Sequence, residues 1–372
     1  MRILHVVATG QRRGAEMFAS DLVRTLLGLG DFQQEVLLLR GPWPAAVVYD
    51  APVVPLRGNG KRFPGLRMDV ATLSSLREAV NRFRPQVVHA HGGEAFKYTA
   101  LATTGRRTPI VYRRIGSAPG TITRGMKRAV HAALLRRSDR VVAVAESVRR
   151  ETVETFRMPH DRVVTIPRGV DPHRLRADRG RAVVRADLGI PASSPVIIAV
   201  GALSPEKDPL AHLDVCATVA GSIPEVTYLF AGDGPMREEL RDAIESRRLD
   251  DHVRLLGTRT DVGDLLGASD LLVLASRTEG MPGCVIEAGM TGVPVVAFGV
   301  AGVPEVLIDG VTGVVVEPGD HAALGMRTLE LIKDPDRRSA MGLAAMKRCL
   351  STFDIDTVAR RYATVYSEVV RR

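Results

Sequence analysis

Residues 271–305 read LLVLASRTEGMPGCVIEAGMTGVPVVAFGVAGVPE. An aliphatic run at 271–274 gives way to a glycine-rich loop, a helix-length stretch begins near Gly283, a β-branched run follows at 293–297, and a second glycine turn closes the segment. That order is a βαβ unit of a parallel sheet. Two acids stand out: Glu279 lies in the loop just beyond the strand, and Glu287, after seven intervening residues, lies inside the helix. The loop Gly280, Met281, Pro282, Gly283 and Cys284 presents backbone amides at a helix amino terminus, where the dipole and the unpaired donors favour an anion such as a diphosphate. A carboxylate one or two turns up the helix can accept two hydrogen bonds from a vicinal diol, as a ribose offers.

Outward from this segment the same alternation covers the chain. Strands are expected at 3–7, 35–39, 87–90, 110–112, 141–144 and 163–166, and again at 196–200, 226–231, 253–256, 271–274, 293–297 and 313–316, with helical segments between them. The 15–29 helix has Phe18, Leu22, Leu26 and Leu29 on one face. An arginine- and turn-rich stretch, 168–195, separates the two series and is the candidate linker. At 372 residues the chain has room for two cores. The reading is an α/β protein with two doubly wound domains, 1–170 and 180–350, whose ligands would bind at strand carboxyl ends, in a cleft if the two domains face each other. A tail, 351–372, carries Ile355, Val358, Ala359, Tyr362 and Val365 at helical spacing.

Composition narrows the function. With 45% hydrophobic and 4% aromatic residues the cores should be aliphatic, and one Trp and six Tyr are few for stacking single-stranded nucleic acid. Cys216, Cys284 and Cys349 share no metal-ligand spacing and suggest a reducing compartment. No long uncharged apolar run appears and residues 1–8 read as a strand, so a cytoplasmic protein is expected. Lys and Arg exceed Asp and Glu by 31 to 15 over residues 1–180 but trail them 20 to 27 over 181–372. The first half therefore faces something anionic: a membrane surface, a phosphorylated acceptor or nucleic acid. The segment 123–137, TRGMKRAVHAALLRR, places Met126, Val130, Ala133 and Leu134 on one side and Arg124, Lys127, Arg128 and His131 around the other. It reads either as a peripheral helix with a solvated face or as a helix docking on the inner face of a membrane.

Glu279 and Glu287 at this spacing, in TEGMPGCVIEAGMTGVPVVA, resemble the E-x7-E signature of retaining glycosyltransferase family 4, a group of GT-B enzymes. VGALSPEKDP with Gly201 and Lys207 is similar to the family's lysine loop. AGDGP with Gly232 and LGTRTDVGDL with Arg259 are similar to its next landmarks. In the first half the loop from Gly10 through Gly14 to Glu16, VVHAHGG and IPRGVD are similar to its early glycine loop, strand end and domain junction. The resemblance implies a GT-B fold with the donor nucleotide sugar on the second domain, the acceptor on the first, and the tail helix crossing back to pack on the first. It implies that Glu279 contacts the donor sugar, Glu287 holds the ribose and Lys207 faces the leaving diphosphate, with Gly280 to Cys284, Gly201, Gly232 and Gly14 around the donor. It also implies retention of anomeric configuration, with no cofactor and no metal. A positioned ammonium and helix-end amides suit a leaving group that gains negative charge.

The chain departs from the pattern at two places. Ala202 stands where many members carry an arginine, which leaves Arg259 or an arginine of the first domain to serve. The strand end YRRIGS lacks the usual donor-contacting histidine, which leaves His91 and Arg114 as candidates on the acceptor side. His89 and His91 are taken to point to different faces of their strand, His89 inward for packing. Two rivals stay open: a nucleotide-sugar epimerase of the same fold, which would consume donor without acceptor, and a noncatalytic protein binding saccharides or nucleic acid, which would leave the acid pair and lysine loop without a purpose.

Overall fold

The computed structural model describes residues 1–41, 46–58, 68–118 and 122–371. The chain forms two compact units, Met1–Val170 with Ile355–Arg372, and Asp171–Asp354. The first runs β1 (Arg2–Val7), α1 (Gly14–Leu29), β2 (Gln33–Leu38), β3 (Val53–Pro55), α2 (Val70–Phe83), β4 (Val87–His91), α3 (Gly93–Ala102), β5 (Ile110–Arg114), α4 (Gly125–Leu135), β6 (Arg140–Ala143), α5 (Glu146–Glu154) and β7 (Val163–Thr165). Its seven strands lie in the order β3-β2-β1-β4-β5-β6-β7, all pairs parallel. The edge strand β3 is absent from the reading of the sequence because three residues ending in a proline carry no periodicity.

His89 packs inward as expected, but its placing on a different face from His91 needs correction. Side chains alternate along a strand, so residues two apart share a face. His89 and His91 therefore stack, ring centroids 3.9 Å apart, beside His5 on β1, and all three are buried. The final helix, α14 (Ile355–Arg371), covers this face together with α1: Phe18 and Leu22 pack with Val358, Tyr362 and Tyr366. Gly169 of IPRGVD has a packing reason of its own, since a Cβ there would lie 2.7 Å from Ile355 Cδ1.

The second unit opens with a short 3₁₀ turn, Pro172–Leu175, then α6 (Arg181–Asp187), β8 (Val196–Val200), α7 (Ala211–Ala220), β9 (Thr227–Ala231), α8 (Arg237–Ser246), β10 (Val253–Gly257), α9 (Val262–Ala268), β11 (Leu271–Leu274), α10 (Gly283–Met290), β12 (Val295–Phe298), α11 (Val303–Val306), β13 (Gly313–Val316), α12 (His321–Ile332) and α13 (Pro335–Thr352). Its parallel sheet has the order β10-β9-β8-β11-β12-β13. The central strands β8 and β11, buried along most of their length, are continuous aliphatic runs, as parallel strands covered on both faces must be. The stretch read as a linker is built into this unit: Arg179 bridges Asp187, Asp261 and Asp264, and Arg185 and Arg181 both reach Asp270. Among the described residues no helix is long and apolar enough to cross a membrane.

Candidate functional site

The sheet order decides which loops meet. β8 and β11 are neighbours although their paired positions, Leu271 opposite Ile197 and Leu272 opposite Ile198, are 74 apart in the chain, so the loops leaving their carboxyl ends lie side by side at the point where strand order reverses. The β8 loop carries Lys207 and the β11 loop carries Glu279. Lys207 Nζ donates to Glu279 Oε1 at 2.5 Å, with the carboxylate nearly buried and the ammonium partly open.

Two further contacts latch the same loops. Arg277 N–H donates to Glu206 O at 2.9 Å, and Arg277 Nε donates to the buried carboxylate of Asp208 at 2.7 Å. Asp208 sits at φ +48°, a left-handed conformation that costs a non-glycine residue energy. The Arg277 bond holds it there. Neither Asp208 nor Arg277 was singled out from the sequence, because each is unremarkable in its own string and their partnership spans 69 positions.

Glycines bring the β9 loop into the same rim. A Cβ on Gly232 would lie 1.7 Å from Gly201 O, and one on Gly234 would lie 2.3 Å from Leu203 O. The two backbones are bonded at that contact, Gly201 N to Ala231 O at 3.1 Å and Leu203 N to Asp233 O at 3.1 Å. Here Gly201, Ala202, Leu203, Lys207, His212 and Ser276 line a pocket of about 20 Å³, room for one water-sized group. The hydroxyls of Ser204 and Ser276 are buried with no hydrogen-bond partner among the described residues, so this rim has polar capacity to spare. A larger depression, about 1070 Å³, lies in the first unit, with Arg40, Arg57, Asp69 and Arg82 among its described lining, and none of the rim residues above lines it.

After β11 the chain turns through Gly280, Met281 and Pro282 into α10, whose first residues are Gly283 and Cys284. Pro282 stands at the cap and makes no side-chain bond to the helix end. Glu287 lies on the second turn, nearly buried, and accepts from Arg174 Nη2 at 3.3 Å. Gly289, on the far side of α10, lets the helix close on α13, since a Cβ there would lie 2.5 Å from Cys349 Sγ. Burial pushes the Cys349 and Cys216 thiols up to about 12, which leaves both inert.

Three candidates from the sequence are engaged elsewhere. Arg259 is held by Asp261 through two bonds, 2.8 and 2.6 Å, so it does not take the place of the arginine missing at Ala202. Arg114 is buried against Glu151 at 2.6 Å and Thr152 at 2.9 Å, a packing ion pair. His91 is 1% exposed and bonded through Nε2 to His5 Nδ1 at 3.1 Å, so it lines no cleft. His5 Nε2–H donates to Gln34 Oε1 at 3.0 Å, and Tyr366 OH lies 2.7 Å from His89 Nδ1. Desolvation lowers all three imidazoles, His5 to about 4, and keeps them neutral. These rings are close enough together to hold an ion. The stacked pair and the buried guanidinium of Arg113 that faces it favour a hydrogen-bonded core instead. Gly14 opens α1, and the Arg168 guanidinium occupies the space a Cβ there would need, 2.7 Å away.

Two doubly wound units, one with a lysine and an acid at the switch point and a second acid on the following helix, define a GT-B glycosyltransferase. The fold agrees: the crystal structure of Anabaena HepE in complex with UDP and glucose superimposes with a TM-score of 0.86 at 21% identity, covering 99% of this chain and 100% of that one. The family model "Glycosyltransferase Family 4" matches residues 12–174 and "Glycosyl transferases group 1" matches residues 181–348. The chain belongs to glycosyltransferase family 4. Among curated relatives, N-acetyl-alpha-D-glucosaminyl L-malate synthase of Bacillus anthracis is 27% identical over 311 residues, 82% of this chain and 80% of that protein. D-inositol 3-phosphate glycosyltransferase of Kineococcus radiotolerans is 31% identical over 279 residues, 69% of this chain and 62% of that protein.

Proposed function

We propose that this glycosyltransferase moves a hexose-type sugar, with retention, from a nucleotide-diphosphate sugar to a glycan, lipid-linked or small-molecule acceptor. The Lys207–Glu279 pair at the β8–β11 switch point carries the reading. A diphosphate at the amino terminus of α10 would sit beside Lys207, whose ammonium interacts more strongly with the departing phosphate than with the intact donor. Glu279 would accept from the sugar hydroxyls and Glu287 from the ribose diol. The acceptor attacks the face the diphosphate leaves, and the departing phosphate takes its proton. Lysine and helix-end amides supply the positive charge this needs, so we assign no metal and no cofactor.

The acceptor falls to the first unit, whose positive excess fits an anionic partner. The two curated relatives agree in kind, since their names specify a malate and an inositol phosphate. α4 supports a cytoplasmic protein resting on an anionic membrane. Only Ala132 and Leu135 of that helix are buried, while Met126 and Val130 are 82% and 64% exposed between Arg124, Lys127 and Arg128. Binding to phosphatidylglycerol vesicles at low salt should weaken several-fold in Met126→Glu; equal binding by both proteins would remove the membrane from the proposal.

A thermal-shift and donor-hydrolysis screen against UDP-, GDP-, ADP- and TDP-sugars tests the donor site. A nucleotide at a hundred times its dissociation constant should stabilise the protein by about 2.7 kcal/mol. Stabilisation by one nucleotide class, reduced in Lys207→Ala and Glu287→Ala, is the expected result. No response to any donor would sink the reading.

A further inference from the structure

Arg174 lies in the 3₁₀ turn Pro172–Leu175, at the entrance to the second unit and more than a hundred residues from the acid it touches. The turn is fixed from within and from both sides. Asp171 Oδ1 accepts from His173 N at 2.9 Å and a proline opens the turn. Leu175 is buried, and its carbonyl presses so closely on α9 that a Cβ on Gly263 would come within 2.5 Å of it. The opposite side of the turn packs on α10. A side chain projecting from so short and pinned a turn has few places to go, and that of Arg174 meets Glu287 with Nη2 3.3 Å from Oε1.

A nearly buried carboxylate is costly without a cationic neighbour and free to rotate without a fixed one. Arg174, carried on a fixed turn, supplies a cation at a set place beside that carboxylate. We infer that Arg174 is a positioning residue for the nucleotide: it orients the Glu287 carboxylate toward the two ribose hydroxyls, and so sets discrimination between ribose and deoxyribose. This rests on the proposed donor role of Glu287.

The test compares affinities of the full chain, by calorimetry, for UDP, GDP and ADP and for their 2′-deoxy counterparts. For the nucleotide that binds, the wild-type protein should prefer the ribose form by about tenfold or more, because a buried acceptor left without its donor is penalised. Glu287→Ala should bring the ratio near one. Arg174→Ala should do the same, and Arg174→Met, which keeps the apolar stem against the turn, should match it if the alanine variant folds poorly. Arg174→Lys should restore part of the preference. Equal weakening of both sugar forms in the Arg174 variants, with the ratio unchanged while Glu287→Ala abolishes it, would make Arg174 a structural residue and overturn the inference alone. A wild-type protein that binds none of the pairs, or a ratio that survives Glu287→Ala, would overturn the donor reading of Glu287 and the inference with it.

Discussion

At the scale of single residues the site is arranged before any donor arrives. Lys207 already faces Glu279, and the strained Asp208 beside it is clamped by Arg277, so under the proposed donor role little reorganisation would remain for the moment when charge develops on a leaving phosphate. The glycines at the rim do a different job: they let backbones touch. Gly232→Ala would put a methyl group 1.7 Å from Gly201 O, backbone against backbone, so one loop must move. The expected cost is roughly 1–3 kcal/mol of stability together with weaker nucleotide binding. Gly28→Ala is the internal contrast. Gly28 lies exposed in α1 with nothing within 4 Å of a new Cβ, and alanine there should stabilise by about 0.5–1 kcal/mol. Thermal melts of the two variants read both effects, and a Gly232→Ala protein as stable as wild type would show the loop contact to be soft.

Elements explain what the sequence disclosed and what it withheld. Apart from the short edge strand β3, the strands of both sheets are legible because buried parallel strands are rich in aliphatic residues, and Lys207, Glu279 and Glu287 are legible because each sits in a local string of distinctive composition. Partnerships across the fold were not: Arg277 with Asp208 and Arg174 with Glu287 join positions 69 and 113 apart, and only the β8–β11 adjacency and the Pro172–Leu175 turn bring them together. Arg259 is a different case, since its partner Asp261 stands two residues away and the alternation R-T-D was there to be read. The tail helix shows the reach of periodicity. Its stripe at 355, 358, 359, 362 and 365 continues to Tyr366 and Val369, and the whole stripe is buried against α1 and β4. A chain ending at Asp354 would bare Phe18, Leu22 and the histidine layer, so it should express as an aggregating or ANS-binding protein whose first unit shows no cooperative melt. A soluble, normally melting truncation would show that α14 is dispensable packing.

Across the whole molecule the buried imidazoles set a limit on acid stability. His5, His89 and His91 share one closed layer of the first unit, faced by Arg113, Tyr362 and Tyr366, and His212 is enclosed in the second; desolvation lowers His5 and His212 to about 4 and holds His89 and His91 well below their ordinary value. Their folded pKa values lie below the ordinary 6.5, so the unfolded chain binds protons that the folded chain refuses. Their contribution is therefore complete above about pH 6.5 and declines as the pH falls from there toward 4, by up to about 1.4 kcal/mol per pH unit for each ring. Paired carboxylates such as Asp261, held low by Arg259, lose their contribution only further down, so the two effects occupy separate windows. The double variant His89→Phe with Tyr366→Phe isolates one ring. It replaces a hydrogen-bonded pair, 2.7 Å apart, by two apolar rings of similar shape, a change that is close to neutral at pH 7.5, whereas either single change strands a buried polar atom. Scanning calorimetry at pH 7.5, 6.0 and 5.0 should then show the double variant losing less stability on acidification than wild type, the gap growing by about one ring's worth per pH unit. Identical pH slopes for the two proteins would mean that His89 titrates in the folded state as it does in the unfolded chain, and the reading of a neutral histidine layer would fall.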